Sequence, residues 1–301
     1  IDPLNEEATL TVAEAAAPGA SKTRALSILS GYLDELGAEG REIQLPAVLL
    51  RRRISEAYQD STIVVRDSPF FGREKESEEL NRALARARNS GGSAYLISGE
   101  PGIGKTRLVS EFTRAASLSP VRVIRVACQE HDAERPLSAI VDLVPRLLTL
   151  PGALGCSPES MQSLRRLTSH DPFDARVRQE REQEQPRYDH TRSAVLDLMD
   201  CVSSEGCCIV VIENTHWLDP QSTRMIEGFL EWLRTRQLLL ILTSRDLRHQ
   251  HELLSHIHVG PLSSDASRAV AMALSSPVLV STPDFIDWAV RCSGGNPYYL
   301  L

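Results

Sequence analysis

The segment Gly99-Glu100-Pro101-Gly102-Ile103-Gly104-Lys105-Thr106 constrains this chain more than any other. It has the pattern G-x-x-x-x-G-K-[ST], the Walker A motif or P-loop. Each residue type has a physical task. Gly99, Gly102 and Gly104 permit backbone geometries closed to other residues and leave no side chain between amide and phosphate. The amides of Gly102, Ile103 and Gly104, which follow Pro101 in the loop, and the helix start beyond them offer positive partial charge to an anion. Lys105 adds a full charge near the β- and γ-phosphates, and Thr106 offers a hydroxyl to Mg²⁺. Arg107, next in the helix, is counted with the nucleotide-binding set. The motif needs a strand before it and a helix after it. Ala94–Ile97 is an apolar run of strand length, and Thr106–Ala116 reads as a helix.

The same alternation continues beyond the loop. Val121–Val126 reads as a strand of alternating apolar and basic residues. Leu137–Leu148 reads as a helix interrupted at Pro145, and Thr191–Cys201 as another. Cys208–Ile212 is a continuous apolar strand, Pro220–Leu233 a helix, and Leu238–Leu242 a second continuous apolar strand. Continuous apolar strands between helices indicate a parallel sheet covered on both faces. His170–His190, with its prolines and many charges, reads as an exposed insertion, helical in part. From about Ser263 the pattern is helical again, over Asp265–Leu274 and Asp284–Cys292, and closes on Gly294-Gly295-Asn296-Pro297.

Before the P-loop unit the chain differs in kind. Leu4–Ala17, Lys22–Leu36 and Pro46–Tyr58 read as three amphipathic helices with short turns, about one and a half helical-hairpin repeats. The expected organisation is a helical segment over 1–60, a linker over 61–69, an α/β domain over 70–262 and the start of a helical lid over 263–301. A length of 301 residues accommodates about two domains. The net charge of −7 argues against a protein that coats nucleic acid. No run approaches 18 apolar residues, so no membrane helix is expected. The N-terminus lacks the apolar core of a signal peptide, and without an initiator Met it reads as a fragment or a processed chain. The six cysteines include no C-x-x-C pair and read as buried or incidental thiols of a reducing cytoplasm.

Cys208–Ile212 runs into Glu213 and Asn214. An apolar strand ending in a carboxylate is the Walker B arrangement, and Glu213 is the acid placed to hold Mg²⁺ or its water. In the usual form a second acid follows and activates the attacking water. Here that position is Asn214, which orients water but does not take its proton. Hydrolysis is therefore expected to be slow or absent. Leu238–Leu242 leads into Thr243-Ser244-Arg245, and Arg245 is the candidate sensor of the γ-phosphate, since a guanidinium stays charged and binds phosphate bidentately.

Taken in order, Phe71-Gly72-Arg73-Glu74 with Glu76, the Walker A, Glu213-Asn214-Thr215-His216-Trp217-Leu218-Asp219, Thr243-Ser244-Arg245 and Gly294-Gly295-Asn296-Pro297 resemble one family. It is the signal-transduction ATPases with numerous domains (STAND), in the AAA-like branch of large bacterial regulators. The resemblance covers about 70–301. It implies a three-layer α/β P-loop NTPase domain with a helical lid, and an ATP/ADP switch with Mg²⁺ in place of a fast ATPase. It also implies that Phe71, Gly72 and Arg73 lie near the adenine and sugar, and that Pro297 packs on the base from the lid. The first 55 or so residues, through Asp2–Glu7, Arg24-Ala25-Leu26 and Leu33–Gly37, resemble the end of a bacterial transcriptional activator domain built of tetratricopeptide-like helices. That implies a cytoplasmic transcriptional regulator whose DNA contact is made upstream of residue 1, with self-association on ATP binding. Two other classes stand beside this reading: a ring-forming AAA+ ATPase with steady turnover, and a nucleotide-free scaffold. His249, His251, His256 and His258 have a spacing that could hold Zn²⁺ or Cu²⁺, against a solvated helix and strand start. Arg51-Arg52-Arg53 reads as a solvated helix face.

Overall fold

Five strands form one parallel sheet. They are β1 (Ser93–Ser98), β2 (Arg122–Ala127), β3 (Cys208–Glu213), β4 (Leu238–Ser244) and β5 (Leu254–His258). The spatial order is β2-β3-β4-β1-β5, every neighbouring pair parallel. The computed structural model describes residues 70–89, 91–168, 184–246, 251–274 and 283–300. The three helices expected over 4–58, the expected linker and Arg51-Arg52-Arg53 lie outside the described residues, as do His249 and the first part of the expected 170–190 insertion.

The order of strands follows from crossovers that must bury both faces. From β1 the chain passes through α2 (Lys105–Ala116) to β2 at one edge, then works back through β3 and β4 to lie beside β1. β5 adds the opposite edge. β4 is thereby inserted between the P-loop strand and the strand that ends at Glu213. A crevice forms outside the carboxyl ends of the strands where the winding reverses, and this is where open α/β sheets bind ligands.

Side chains alternate across the sheet with period two. Val210, Ile212, Leu240 and Leu242 point into one apolar layer, with α3 (Ser138–Leu148), α4 (Pro158–Thr168), α5 (Glu184–Ser204) and α6 (Pro220–Leu233). Ile209, Val211, Leu239 and Ile241 point into the other, with α1 (Glu74–Asn89) and α2. β3 and β4 are buried along their whole length, which is why they read as unbroken apolar runs. Truncating one such residue to Ala would cost about 2–5 kcal/mol. Two short helices, α7 (Ser264–Leu274) and α8 (Pro283–Ser293), with a 3₁₀ turn at Pro297–Leu300, form a helical cluster in the region expected to be the lid. Leu262, Ala266 and Val270 form its own small core, against Leu274 and Leu300.

Several elements differ from expectation. α3 runs through Pro145 without interruption. The proline sits in the last turns, so it forfeits a single backbone hydrogen bond while Ile140, Leu143, Val144 and Leu147 keep the face buried. α5 begins at Glu184, well before Thr191, so the end of the charged insertion is helical. α4 was not assigned from sequence: Met161, Leu164 and Leu167 lie three apart and pack on the core, but the helix is short and fully buries only Leu164. β5 emerges where only a strand start was expected. As an edge strand it buries little besides Ile257, so its signal is weak.

Candidate nucleotide-binding site

The P-loop leaves β1 at Ser98 and reaches α2 at Lys105. Gly104 takes a φ of 102° as the residue before the helix, a left-handed conformation that glycine adopts without strain. Gly102, at φ 77°, is packed closely by the lid: a Cβ there would lie 2.6 Å from Tyr298 Cβ. The loop therefore requires glycine at 102 for space as well as for backbone angle.

Lys105 is 9% exposed. Its Nζ donates to the carbonyls of Gly99 at 2.7 Å and Glu100 at 2.9 Å, inside the curve of the loop. Burial, and behind it the charge of Arg245, hold its ammonium below the usual lysine range. Arg245, exposed just past the end of β4, is thus close enough for its charge to be felt at Lys105.

Glu213 is 7% exposed, at the end of β3. Thr106 Oγ1 donates to its Oε2 at 2.8 Å. Its Oε1 accepts from Arg125 Nε at 3.1 Å and from Arg125 Nη2. Arg125 Nη1 reaches Ser110 Oγ on α2 at 2.9 Å. The register explains the pair: Arg125 lies opposite Val211, so Glu213 is its diagonal neighbour on the same face. A hydroxyl and a carboxylate in contact at the end of the sheet are hard oxygen donors suited to Mg²⁺, which takes few protein ligands and keeps its waters.

Asn214 takes a left-handed conformation, φ 57°, which asparagine tolerates better than most residues. Its N–H donates to Thr243 Oγ1 at 3.1 Å, and its Nδ2 donates to Cys128 O at 3.4 Å at the end of β2. Thr215 Oγ1 donates to Thr243 O at 3.2 Å. The turn after Glu213 is thus fastened to both neighbouring strands.

Arg73 is 5% exposed and does structural work at the rim. Its Nη2 donates to Ile103 O at 3.0 Å and to Gly260 O at 2.7 Å, and its Nη1 to Glu76 at 3.4 Å. Burial pulls its pKa below the usual arginine value, against the raising effect of Glu76 and Glu74. Gly72 packs on the lid helix, where a Cβ would meet Ala266 Cβ at 2.5 Å, while Phe71 is partly exposed. Arg107 pairs along α2 with Glu111 at 2.8 Å. The lid reaches the loop through Asn296, whose Nδ2 donates to Pro101 O at 3.0 Å and whose Oδ1 accepts from Tyr298 N at 3.1 Å. Gly295 O accepts from Leu262 N at 2.8 Å. Pro297 follows, half-buried.

The structure therefore brings together Gly99–Thr106, Glu213, Asn214, Arg245, Arg73 and the Gly294–Pro297 turn. The histidines do not assemble into a metal centre among the described residues. His251 Nδ1 accepts from Leu253 N at 3.2 Å, while His256 Nε2 and His258 Nδ1 lie 2.6 and 3.3 Å from Ser98 Oγ. Trp217 packs against the core layer of α3–α6. Three residues went unassigned by sequence. Arg125 showed only as a basic residue within a strand, and Asn296 only as the x of a Gly-x-Pro element. Asp219 is the third. It is 1% exposed, caps α6 through Gln221 N and Ser222 N, each at 3.0 Å, and also accepts from Leu137 N and Ser138 N at the start of α3.

Residues 69–241 match the AAA ATPase domain family. The chain belongs to that family. It is an AAA-type nucleotide-binding module, of a family that generally binds ATP or ADP with Mg²⁺. An uncharacterised protein of Rhizobium meliloti (strain 1021) is 25% identical over 251 residues. The match covers 77% of this chain and 24% of that relative, so the chain spans about a quarter of its length. Among solved structures, the Aeropyrum pernix ORC1 protein in complex with DNA overlaps 79% of this chain and 60% of its own, at 16% identity and a TM-score of 0.49. A Pyrococcus horikoshii STAND protein with a tetratricopeptide repeat sensor overlaps 76% and 29%, at 15% identity and a TM-score of 0.41. Drosophila ORC bound to DNA overlaps 78% and 55%, at 12% identity and a TM-score of 0.45. At these scores the overlaps carry no weight on the function of this AAA module. Among its described residues no helix is long and apolar enough to cross a membrane.

Proposed function

We propose that this chain is the ATP/ADP-binding switch of a bacterial regulator of the STAND type, with slow or absent hydrolysis. The observation that carries the reading is Asn214. It occupies the position after Glu213 where an attacking water would be activated, and its amide is turned to Cys128 O. A side chain that cannot accept a proton at neutral pH suits retention of nucleotide better than turnover.

The geometry supports the following roles. Lys105 exchanges its two carbonyl partners for β- and γ-phosphate oxygens, and Arg245 meets the γ-phosphate from β4. Glu213 and Thr106 would hold Mg²⁺, which would offset the negative charge of the phosphates. Phe71, Gly72 and Pro297 enclose the adenine side. Asn296 ties the lid to Pro101, so a change in the loop is transmitted to α7 and α8. The lever is differential contact with the γ-phosphate, and its output is self-association or exposure of a partner surface. Residues 1–60 as the end of an activator domain fit a transcriptional regulator that reaches DNA through a separate domain.

The test is to denature the purified protein and identify released nucleotide by chromatography, with Lys105→Ala as control. The expected result is stoichiometric ADP or ATP from the native sequence and none from the variant. Turnover should fall well below the roughly 1 s⁻¹ floor of ordinary enzymes. Fast turnover that rises with protein concentration would favour a ring ATPase. Micromolar affinity retained in Lys105→Ala would overturn the site.

A further inference from the structure

Cys156, Asp197 and Cys201 lie far along the chain from the P-loop, in the helical layer on the opposite face of the sheet from α2. One ligand atom from each comes within 4.8 Å of the other two. Asp197 and Cys201 are one turn apart on α5, so they share a face. Cys156 is brought to them by the turn between the 3₁₀ segment Ala153–Gly155 and α4. That turn is shaped around Cys201. A Cβ on Gly152, at φ 91°, would lie 2.4 Å from Cys201 O, and one on Gly155 would lie 3.6 Å from Cys201 Sγ.

The carboxylate is oriented for a ligand. Asp197 Oδ2 accepts from Ser157 N at 3.0 Å and from Ser157 Oγ at 2.9 Å. Its other oxygen, Oδ1, faces the sulfur of Cys201 at 3.9 Å. One oxygen is thus anchored by the turn while the other is directed at the thiols, the support that metal-ligating carboxylates receive. Two sulfurs select a soft or borderline cation, and one carboxylate adds a hard donor that zinc accepts.

From this cluster we infer a zinc site, with Cys156 and Cys201 as thiolates, Asp197 Oδ1 as the third ligand and water in the fourth position. On binding, the two thiol protons leave to solvent and two Zn–S bonds form. Zn–S bonds near 2.3 Å and Zn–O bonds near 2.1 Å set ligand–ligand edges of roughly 3.3–3.8 Å. The turn closes by about an ångström to meet them. The metal staples the turn before α4 to α5 and does not depend on the nucleotide reading.

The full chain, reduced and stripped of metal, is titrated with Co²⁺ and then with Zn²⁺. One equivalent of Co²⁺ should give a thiolate-to-metal charge-transfer band that Zn²⁺ abolishes. Cys156→Ser and Cys201→Ser should each remove the band while leaving ATP binding unchanged, and Asp197→Asn should weaken Co²⁺ binding at least about ten-fold. In the unaltered protein, where no variant can misfold, one equivalent of Zn²⁺ should protect Cys156 and Cys201 from alkylation and leave Cys292 reactive. The proposal is overturned if no band forms or if the band survives both Cys→Ser variants. Recovery of Cys156 and Cys201 as a disulfide, with no metal uptake after reduction, overturns it equally.

Discussion

Arg125 on β2 and Glu213 on β3 form an ion pair at the mouth of the site, with Thr106 on the second oxygen of the same carboxylate. The donors suited to Mg²⁺ are therefore engaged by one another and by a guanidinium. Removing that guanidinium leaves a buried carboxylate short of a partner. Arg125→Met should destabilise the metal-free protein by about 1–3 kcal/mol. It should also widen the gap in melting temperature between the metal-free and MgATP-loaded forms. Thermal melts with and without MgATP measure both, and an unchanged gap would mean that Arg125 does not compete with the cation.

Asn214→Asp should raise hydrolysis by about a hundred-fold, the low side of what a positioned base contributes. Aspartate also tolerates the left-handed backbone at this position, so the fold should survive. Steady-state phosphate release measures it. Turnover that is unchanged or lower would show that position 214 is not where a catalytic acid belongs.

The lid meets the P-loop through Asn296 and Pro101, 195 residues apart in sequence. Asn296→Ala removes that hydrogen bond and the anchor for Tyr298 N. Nucleotide should dissociate several-fold faster, as a loss of about 1 kcal/mol implies. Stopped-flow displacement of a fluorescent ATP analogue reads the rate. An unaltered rate would separate lid contact from nucleotide retention.

Asp219 serves the first turns of two helices at once. Asp219→Ala would leave the amides of Leu137, Ser138, Gln221 and Ser222 without their acceptor in a buried place. A lost cap alone costs about 1 kcal/mol, and unsatisfied buried donors about 1–3 kcal/mol each before relaxation. The expected loss is at least about 3 kcal/mol by urea denaturation, with Asp219→Asn milder because an amide oxygen can still accept. A loss below 1 kcal/mol would show that water replaces the carboxylate.

Burial pushes the Cys128 and Cys208 thiols up to about 12, from 9.0. Between those values the unfolded chain releases protons that the native state keeps, so stability falls as pH rises. The slope should approach 1.4 kcal/mol per pH unit for each such thiol. Cys128→Ala should flatten the profile by about one thiol's share above pH 9.0. Urea melts across that range with identical slopes in both proteins would contradict the burial argument.

Legibility in the sequence tracked the range of the interaction. Gly99–Thr106 is contiguous, and its strand–loop–helix setting lies within about 25 residues, so local pattern sufficed. Glu213 was legible because a wholly buried strand must end where its first charge appears. Arg125 was not, because a basic residue in a half-exposed strand looks the same whether it meets solvent or a carboxylate 88 residues away. α4 and β5 were weak for a related reason: each fully buries a single residue, Leu164 and Ile257, so neither carries a long apolar run.

The sequence by itself determined the parallel α/β class, the P-loop, the acid at the end of β3 and the amide that follows it. Those features are encoded in short runs whose residue types are required by backbone angle, burial or charge at that place. Tertiary structure alone decided that β4 lies between β1 and β3, that Arg125 engages Glu213, that Asn296 rests on Pro101, and that Cys156 meets Asp197 and Cys201. These are meetings between distant segments, and they follow from how the crossovers stack the layers, which no local run of residues records.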